Sequence, residues 1–141
     1  MKYIISIIGK FNEVDSYYKS LVSLIKYHNL ENRVIFHNVI DDAKVLIEQL
    51  KKSRVYLSLS NYEGYGMANL ESATLGLPLV VSDIPVFREN LKGLNRIYTN
   101  SESASDIANA IRQASFDDNY RNVRTRKWKD TGFSFKRVLN G

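Results

Sequence analysis

The chain has 141 residues, of which 44% are hydrophobic and 25% are charged, and its net charge is +5. This length and composition predict one globular domain, residues 1–141, with a core of its own. Cysteine is absent, which excludes a disulfide framework and a thiolate metal site. No apolar run approaches the roughly 20 residues of a membrane span. We therefore expect a cytoplasmic protein that does not cross a membrane.

The first part of the chain predicts a strand, a helix and a second strand. The run from Lys2 to Ile8 is almost continuously apolar and β-branched, which is typical of an interior strand buried on both faces of a parallel sheet. A helical pattern follows from Asp15 to Tyr27, with Asp15 or Ser16 as its cap. The second strand runs from Arg33 to His37. The apolar face of the helix is formed by Tyr18, Leu21, Leu24 and Ile25.

Strands and helices continue to alternate along the rest of the chain. The predicted elements are a helix at Asp41 to Lys51 with Val45, Leu46, Ile47 and Leu50 inward, a strand at Val55 to Leu59, a helix at Met67 to Leu75, a strand at Leu79 to Val81, a helical turn at Val86 to Leu91, a strand at Arg96 to Thr99 and a helix at Ser103 to Phe116. This order predicts an α/β fold, in which a Rossmann-like parallel sheet carries helices on both faces.

The loop after the third predicted strand contains the residues most suited to binding a ligand. Glu63 lies in this loop, and Gly64 and Gly66 allow the backbone to approach a ligand closely. The helix that begins at about Met67 offers unpaired N–H groups and the positive end of its dipole, which suit a phosphate. Glu71 lies about one turn inside this helix, so both carboxylates can face one crevice and accept hydrogen bonds from sugar hydroxyls. In an open parallel sheet, ligands bind in such a crevice at the carboxyl ends of the strands.

Over these residues the chain resembles the C-terminal, nucleotide-sugar-binding domain of the family 4 (group 1) retaining glycosyltransferases, which have the GT-B fold. The matching residues, in the family's order and spacing, are Ser60, Glu63-Gly64-Tyr65-Gly66, Leu70-Glu71, Gly76-Leu77-Pro78-Leu79-Val80 and Ser82-Asp83. Two glutamates separated by seven residues, followed by Gly-x-Pro before a strand, form a more specific pattern than a lone glycine motif. The resemblance is sharp over about a quarter of the chain.

The resemblance implies a donor-binding domain for the transfer of a sugar, with retention, from a UDP- or GDP-sugar to a glycan, lipid or other acceptor. It implies Glu63 as the catalytic residue, at the hydroxyls of the donor sugar, and Glu71 as the acceptor of hydrogen bonds from the ribose. The backbone N–H groups of Tyr65 and Gly66 would hold phosphate. No metal or other cofactor is implied. The full donor site would comprise Ser60, Glu63, Gly64, Tyr65, Gly66, Met67 and Glu71.

Enzymes of this family have two domains, and the chain resembles only the second of them. The resemblance therefore implies a separate N-terminal acceptor domain, absent from this chain, and an isolated domain that is inactive. In the family, an Arg or Lys on an earlier strand contacts the diphosphate, and we expect this chain to begin after that strand.

Other functional classes share the predicted architecture. The main alternative is a non-catalytic module or subunit that binds a nucleotide sugar. A sugar-nucleotide epimerase or a phosphorylase fits less well, because of the spacing of the two glutamates. A receiver-type regulatory domain needs acidic residues after the first strand and an Asp at the end of the third, and the sequence has neither.

The C-terminal stretch mixes basic and aromatic residues, which in some proteins bind nucleic acid or an anionic membrane surface. We favour a terminal helix whose aromatic side chains pack and whose charges face water, without a nucleic-acid partner. A peripheral position at the inner face of the membrane is the less favoured alternative. The residues concerned are Tyr120, Arg121, Arg124, Arg126, Lys127, Trp128, Lys129, Phe133, Phe135, Lys136 and Arg137.

Overall fold

The computed structural model describes residues 3–121. Its contacts divide the chain into two compact units, Met1–Leu46 and Ile47–Gly141. The basic and aromatic tail from residue 122 onward lies outside the described residues, so its interpretation as a packed helix stays a prediction. No helix in the described part of the chain is long and apolar enough to cross a bilayer.

Strands and helices alternate through residues 3–116, as the sequence predicts, and one more short helix follows. The strands are β1 (Ile5–Ile8), β2 (Val34–His37), β3 (Tyr56–Ser58), β4 (Leu79–Ser82) and β5 (Arg96–Thr99). The helices are α1 (Ser16–Tyr27), α2 (Ala43–Lys51), α3 (Met67–Thr74), α4 (Pro85–Asn90), α5 (Ala104–Phe116) and α6 (Asp118–Arg121). β1 and β2 form one parallel sheet, and β3, β4 and β5 form a second in that order. The predicted α/β fold with parallel strands is confirmed.

The first unit is held by an aromatic cluster and by the cap of α1. The ring of Phe36 on β2 lies 5.0 Å from that of Phe11 and 5.2 Å from that of Tyr18 on α1. Asp15 caps α1, because its carboxylate accepts the Tyr17 N–H at 2.6 Å. The predicted cap of this helix is therefore confirmed.

Three predictions about burial in the first unit are wrong. Within the described residues β1 pairs with β2 alone, and Ile4 and Ile5 are exposed, so β1 is not buried on both faces. Leu24 and Val45, predicted to face inward, are also exposed. The reason is that neither α1 nor α2 has a fully buried residue, so each helix is covered only in part.

The second unit is built around β4, in which every residue is buried. Successive side chains of a strand point to opposite faces, so Leu79 and Val81 lie in one hydrophobic cluster and Val80 lies in another. Helices therefore cover both faces of this sheet, as predicted. The first cluster includes Leu70 and Ala73 of α3, Phe87 of α4 and Leu91, and the second includes Ala110 and Ala114 of α5.

Hydrogen bonds connect the segments that follow the strands of the second sheet. The Ser101 hydroxyl, after β5, donates to the Asn61 side-chain oxygen, after β3, at 2.8 Å. The Asp83 N–H, after β4, donates to the Thr99 carbonyl at 3.2 Å. These contacts fix the carboxyl edge of the sheet, where the predicted site lies.

Candidate functional site

The loop between β3 and α3 carries the first predicted glutamate. Glu63 is partly buried, and its carboxylate accepts a long hydrogen bond of 3.4 Å from the Ser60 hydroxyl. The neighbouring Asn61 is bound to Ser101. The structure therefore brings Ser60 and Glu63 together at the carboxyl edge of the sheet, where parallel α/β folds bind ligands.

Gly66 forms the turn that begins α3. Its φ of 77° and ψ of 40° are left-handed, a conformation that only glycine adopts at low cost. The first internal bonds of the helix run from the N–H groups of Asn69 and Leu70 to the Gly66 carbonyl, at 3.0 and 3.3 Å. The preceding N–H groups, including that of Met67, lie ahead of these bonds, and no side chain caps them at Gly66. This start of a helix is suited to binding an anion.

The two glycines of the loop differ in what the structure requires of them. A Cβ atom on Gly66 would lie 2.8 Å from Cε1 of Phe87, which is completely buried. A Cβ atom on Gly64 would meet nothing within 4 Å. The geometry therefore demands glycine at position 66, whereas it leaves space for a side chain at position 64.

The charges of the two predicted glutamates influence the pKa of the same tyrosine. Glu71 is partly buried on α3, and Tyr56 on β3 packs against the hydrophobic cluster that includes this helix. Burial raises the pKa of the Tyr56 phenol, and the negative charges of Glu71 and then Glu63 raise this pKa further. The charges of both carboxylates therefore influence one phenol group, while their position around a common crevice stays a prediction.

This arrangement can be tested without a ligand. We expect Glu71→Gln to lower the pKa of Tyr56 and Glu63→Gln to lower it less, because the charge of Glu71 has the larger influence. In both variants the pKa should stay above the ordinary value for tyrosine, since burial remains its largest cause. NMR titration of the labelled Tyr56 ring measures these changes, with Glu102→Gln as a control. Equal pKa values in all the proteins would contradict the placement of the glutamates.

α4 also contacts the loop that carries Glu63. The Asn90 side-chain amide donates to the Tyr65 carbonyl at 2.9 Å. Arg88 of the same helix donates two hydrogen bonds to Asp83, of 2.5 and 2.6 Å, and its guanidinium lies 5.0 Å from the centre of the Tyr98 ring. The hydrogen bond from Arg88 is the main cause of a lowered pKa at Asp83. The charge of Arg88 is thus already engaged by a carboxylate.

Three residues beside the predicted site were not found from the sequence. Tyr56 could have been suspected, because an aromatic residue near the end of a strand that precedes a binding loop can reach that loop. Phe87 and Asn90 lie more than 20 residues after the loop, and no local pattern connects them to it. In the described part of the chain, the buried side-chain oxygen of Asn69, under the Gly66 turn, has no hydrogen-bond partner. No three acidic or histidine residues among residues 3–121 are placed to hold a metal ion.

Comparison with known proteins gives consistent matches. The family model of the glycosyl transferases group 1 matches residues 2–130. The O-antigen biosynthesis glycosyltransferase WclY of Escherichia coli is 39% identical over 70 residues, which cover 50% of this chain and 19% of WclY. The serotype-specific mannosyltransferase WbdA of Escherichia coli is 31% identical over 120 residues, which cover 79% of this chain and 14% of WbdA.

A solved structure also matches nearly the whole chain. Sucrose-phosphate synthase from Thermosynechococcus elongatus superposes with a TM-score of 0.70 at 20% sequence identity, covering 96% of this chain and 35% of that protein. At this identity the similarity shows a common fold. The chain spans only 19% of WclY and 14% of WbdA, so each of these relatives is several times longer than the region that it shares with this chain.

Proposed function

Because the chain belongs to the glycosyl transferases group 1 family, as its sequence predicted, we propose that it is the donor-binding domain of a retaining enzyme. The donor is a nucleoside-diphosphate sugar, and the sugar passes to an acceptor bound by another domain. The observation that carries this proposal is the loop in which Ser60 binds Glu63, directly ahead of the left-handed turn that starts α3, the helix on which Glu71 lies. Carboxylates that can accept hydrogen bonds from sugar hydroxyls thereby lie close in the chain to N–H groups that can donate to an anion.

Each part of the proposed site contacts a different part of the donor. Glu71, on a helix, accepts hydrogen bonds from the ribose, and Glu63, in the loop, contacts the sugar near the reacting carbon. The N–H groups at Tyr65, Gly66 and Met67 face the diphosphate, where the helix dipole is favourable for negative charge. Donors fixed in this way also stabilise the charge that grows on the leaving diphosphate during transfer.

The proposal also includes a second domain, which binds the acceptor. Residues 1–141 form the donor domain, and a separate N-terminal domain binds the acceptor and completes the cleft. The isolated chain is therefore inactive. WclY is named for O-antigen biosynthesis and WbdA as a serotype-specific mannosyltransferase, and both names favour a growing cell-surface polysaccharide as the acceptor. Such a reaction would draw on the cytoplasmic pool of nucleotide sugars.

Nucleotide binding tests the proposal directly. We expect the chain to bind UDP or GDP with a dissociation constant between about 10 μM and about 1 mM, which is weak because half of the cleft is missing. NMR titration should show shifts at Glu63, Gly66 and Glu71. If no nucleoside diphosphate shifts these signals, the chain is not a donor domain of this type.

A further inference from the structure

The loop that carries Glu63 is held at its start by the hydrogen bond between Asn61 and Ser101. Glu63 accepts a long hydrogen bond from Ser60, and the side chain of Tyr62 is 90% exposed. Loops with few buried contacts move easily, whereas a reacting group must be held within a fraction of an ångström. Contacts from another element are therefore needed to hold the chain between Glu63 and Gly66 in one position.

α4 makes two contacts with this part of the loop. Asn90 donates its side-chain N–H to the carbonyl of Tyr65 at 2.9 Å, directly before the Gly66 turn. The Phe87 ring fills the space under Gly66, with Cε1 only 2.8 Å from the position of an added Cβ. One contact is polar and the other is steric, and both reach the two residues that lead into α3.

α4 can serve this purpose because it is itself firmly held. Its six residues are too few for a stable helix in isolation, so its position depends on tertiary contacts. Phe87 is fully buried in the core, and its carbonyl accepts the Tyr98 hydroxyl at 3.2 Å. Arg88 is bound to Asp83 at the end of β4. The helix is therefore fixed to β5 and to the segment that follows β4.

We propose that α4 sets the position of the loop that carries Glu63, and that Asn90 is the positioning residue. This inference rests on the proposed function, and it adds a residue that lies outside the two-glutamate motif. Asn90 acts through the Tyr65 carbonyl and does not touch the donor. By holding that carbonyl, it turns the following N–H groups toward the diphosphate and keeps Glu63 beside the sugar.

Two substitutions test this role against a matched control. Asn90→Ala removes the donor, and Asn90→Asp keeps the shape but places a carboxylate against the Tyr65 carbonyl. Asn109→Ala removes an exposed amide from α5, on the opposite face of the sheet, where its partner is Arg112. We expect both Asn90 variants to bind UDP or GDP about fivefold more weakly than the unaltered chain, because the released loop must be ordered when the ligand binds, whereas Asn109→Ala should bind normally.

Amide hydrogen exchange separates positioning from a general loss of stability. In Asn90→Ala, exchange should become faster at residues 64–67 and stay unchanged at the buried strand β4, because only the loop is released. Faster exchange throughout the second unit, or normal affinity together with normal exchange in the loop, would overturn the inference. If the unaltered chain binds neither UDP nor GDP, the proposed function fails instead, and the exchange comparison still decides whether Asn90 holds the loop.

Discussion

Replacing Glu63 by glutamine should depress turnover of the complete enzyme by roughly 100-fold, while affinity for the bare nucleoside diphosphate hardly changes. Glu63 lies in the loop and is proposed to contact the donor sugar, where charge develops as the bond to the diphosphate breaks. A carboxylate that interacts with this charge contributes more in the transition state than in the bound donor. The substitution keeps the size of the side chain and removes its charge.

Glu71→Gln is the matched variant, since it makes the same chemical change on α3. The ribose does not change during transfer, so its contacts are equal in the bound donor and in the transition state. We therefore expect Glu71→Gln to weaken binding of UDP or GDP about tenfold, in the isolated chain and in the complete enzyme alike. Its effect on turnover at saturating donor should be small.

Dissociation constants by calorimetry and turnover in the complete enzyme distinguish the two roles. If Glu63→Gln weakens the bare diphosphate as much as Glu71→Gln does, the assignment of roles is wrong. If Glu63→Gln leaves turnover unchanged, Glu63 is not the catalytic residue.

Replacing Gly66 by alanine should lower the free energy of unfolding by about 2–4 kcal/mol, a large share of the stability of a small domain. Two costs add together here. The φ of 77° is unfavourable for any residue with a Cβ atom, and the added methyl group would lie 2.8 Å from Cε1 of the buried Phe87 ring. The ring cannot move aside easily, because it is fully buried in the hydrophobic cluster around β4.

The chain contains two other glycines that separate these costs. Gly76 has a φ of 84° but open space around its Cβ position, so Gly76→Ala should cost only the backbone strain, about 1 kcal/mol. Gly64 has neither constraint, and Gly64→Ala should change stability by less than about 0.5 kcal/mol. Denaturant unfolding of the three variants gives the comparison.

A second substitution shows whether Phe87 is the cause of the extra cost. Phe87→Leu shortens the side chain under the turn, so it should be less harmful in the Gly66→Ala background than in the unaltered chain. A Gly66→Ala variant that is no less stable than Gly76→Ala would mean that the ring does not restrict the turn.

The order of strands and helices could be predicted from the sequence because it depends on local patterns. The apolar run in β4, the cap at Asp15 and the stop at Gly76 each act within a few residues. The two-glutamate motif is also local, and it was enough to predict the family, which the family model confirms. The assignment of Glu63 and Glu71 to separate parts of a donor stays a prediction.

Burial at the edges of the fold was predicted less well. A continuous apolar run such as Lys2 to Ile8 is typical of an interior strand, yet in the described residues β1 has one neighbour and Ile5 is exposed. Composition indicates what a strand would bury if neighbours were present on both sides. Composition does not show how many strands pair with a given strand, because pairing is decided by residues far away in the chain.

The sequence by itself determined the α/β alternation, the family and the position of the loop between β3 and α3, since each of these follows from residues close together in the chain. Only the tertiary structure decided which glycine is indispensable and which residues hold the loop. Phe87 and Asn90 meet Gly66 and Tyr65 across 21 and 25 residues. Such contacts arise because packing brings α4 against the start of α3, and no spacing along the chain encodes them.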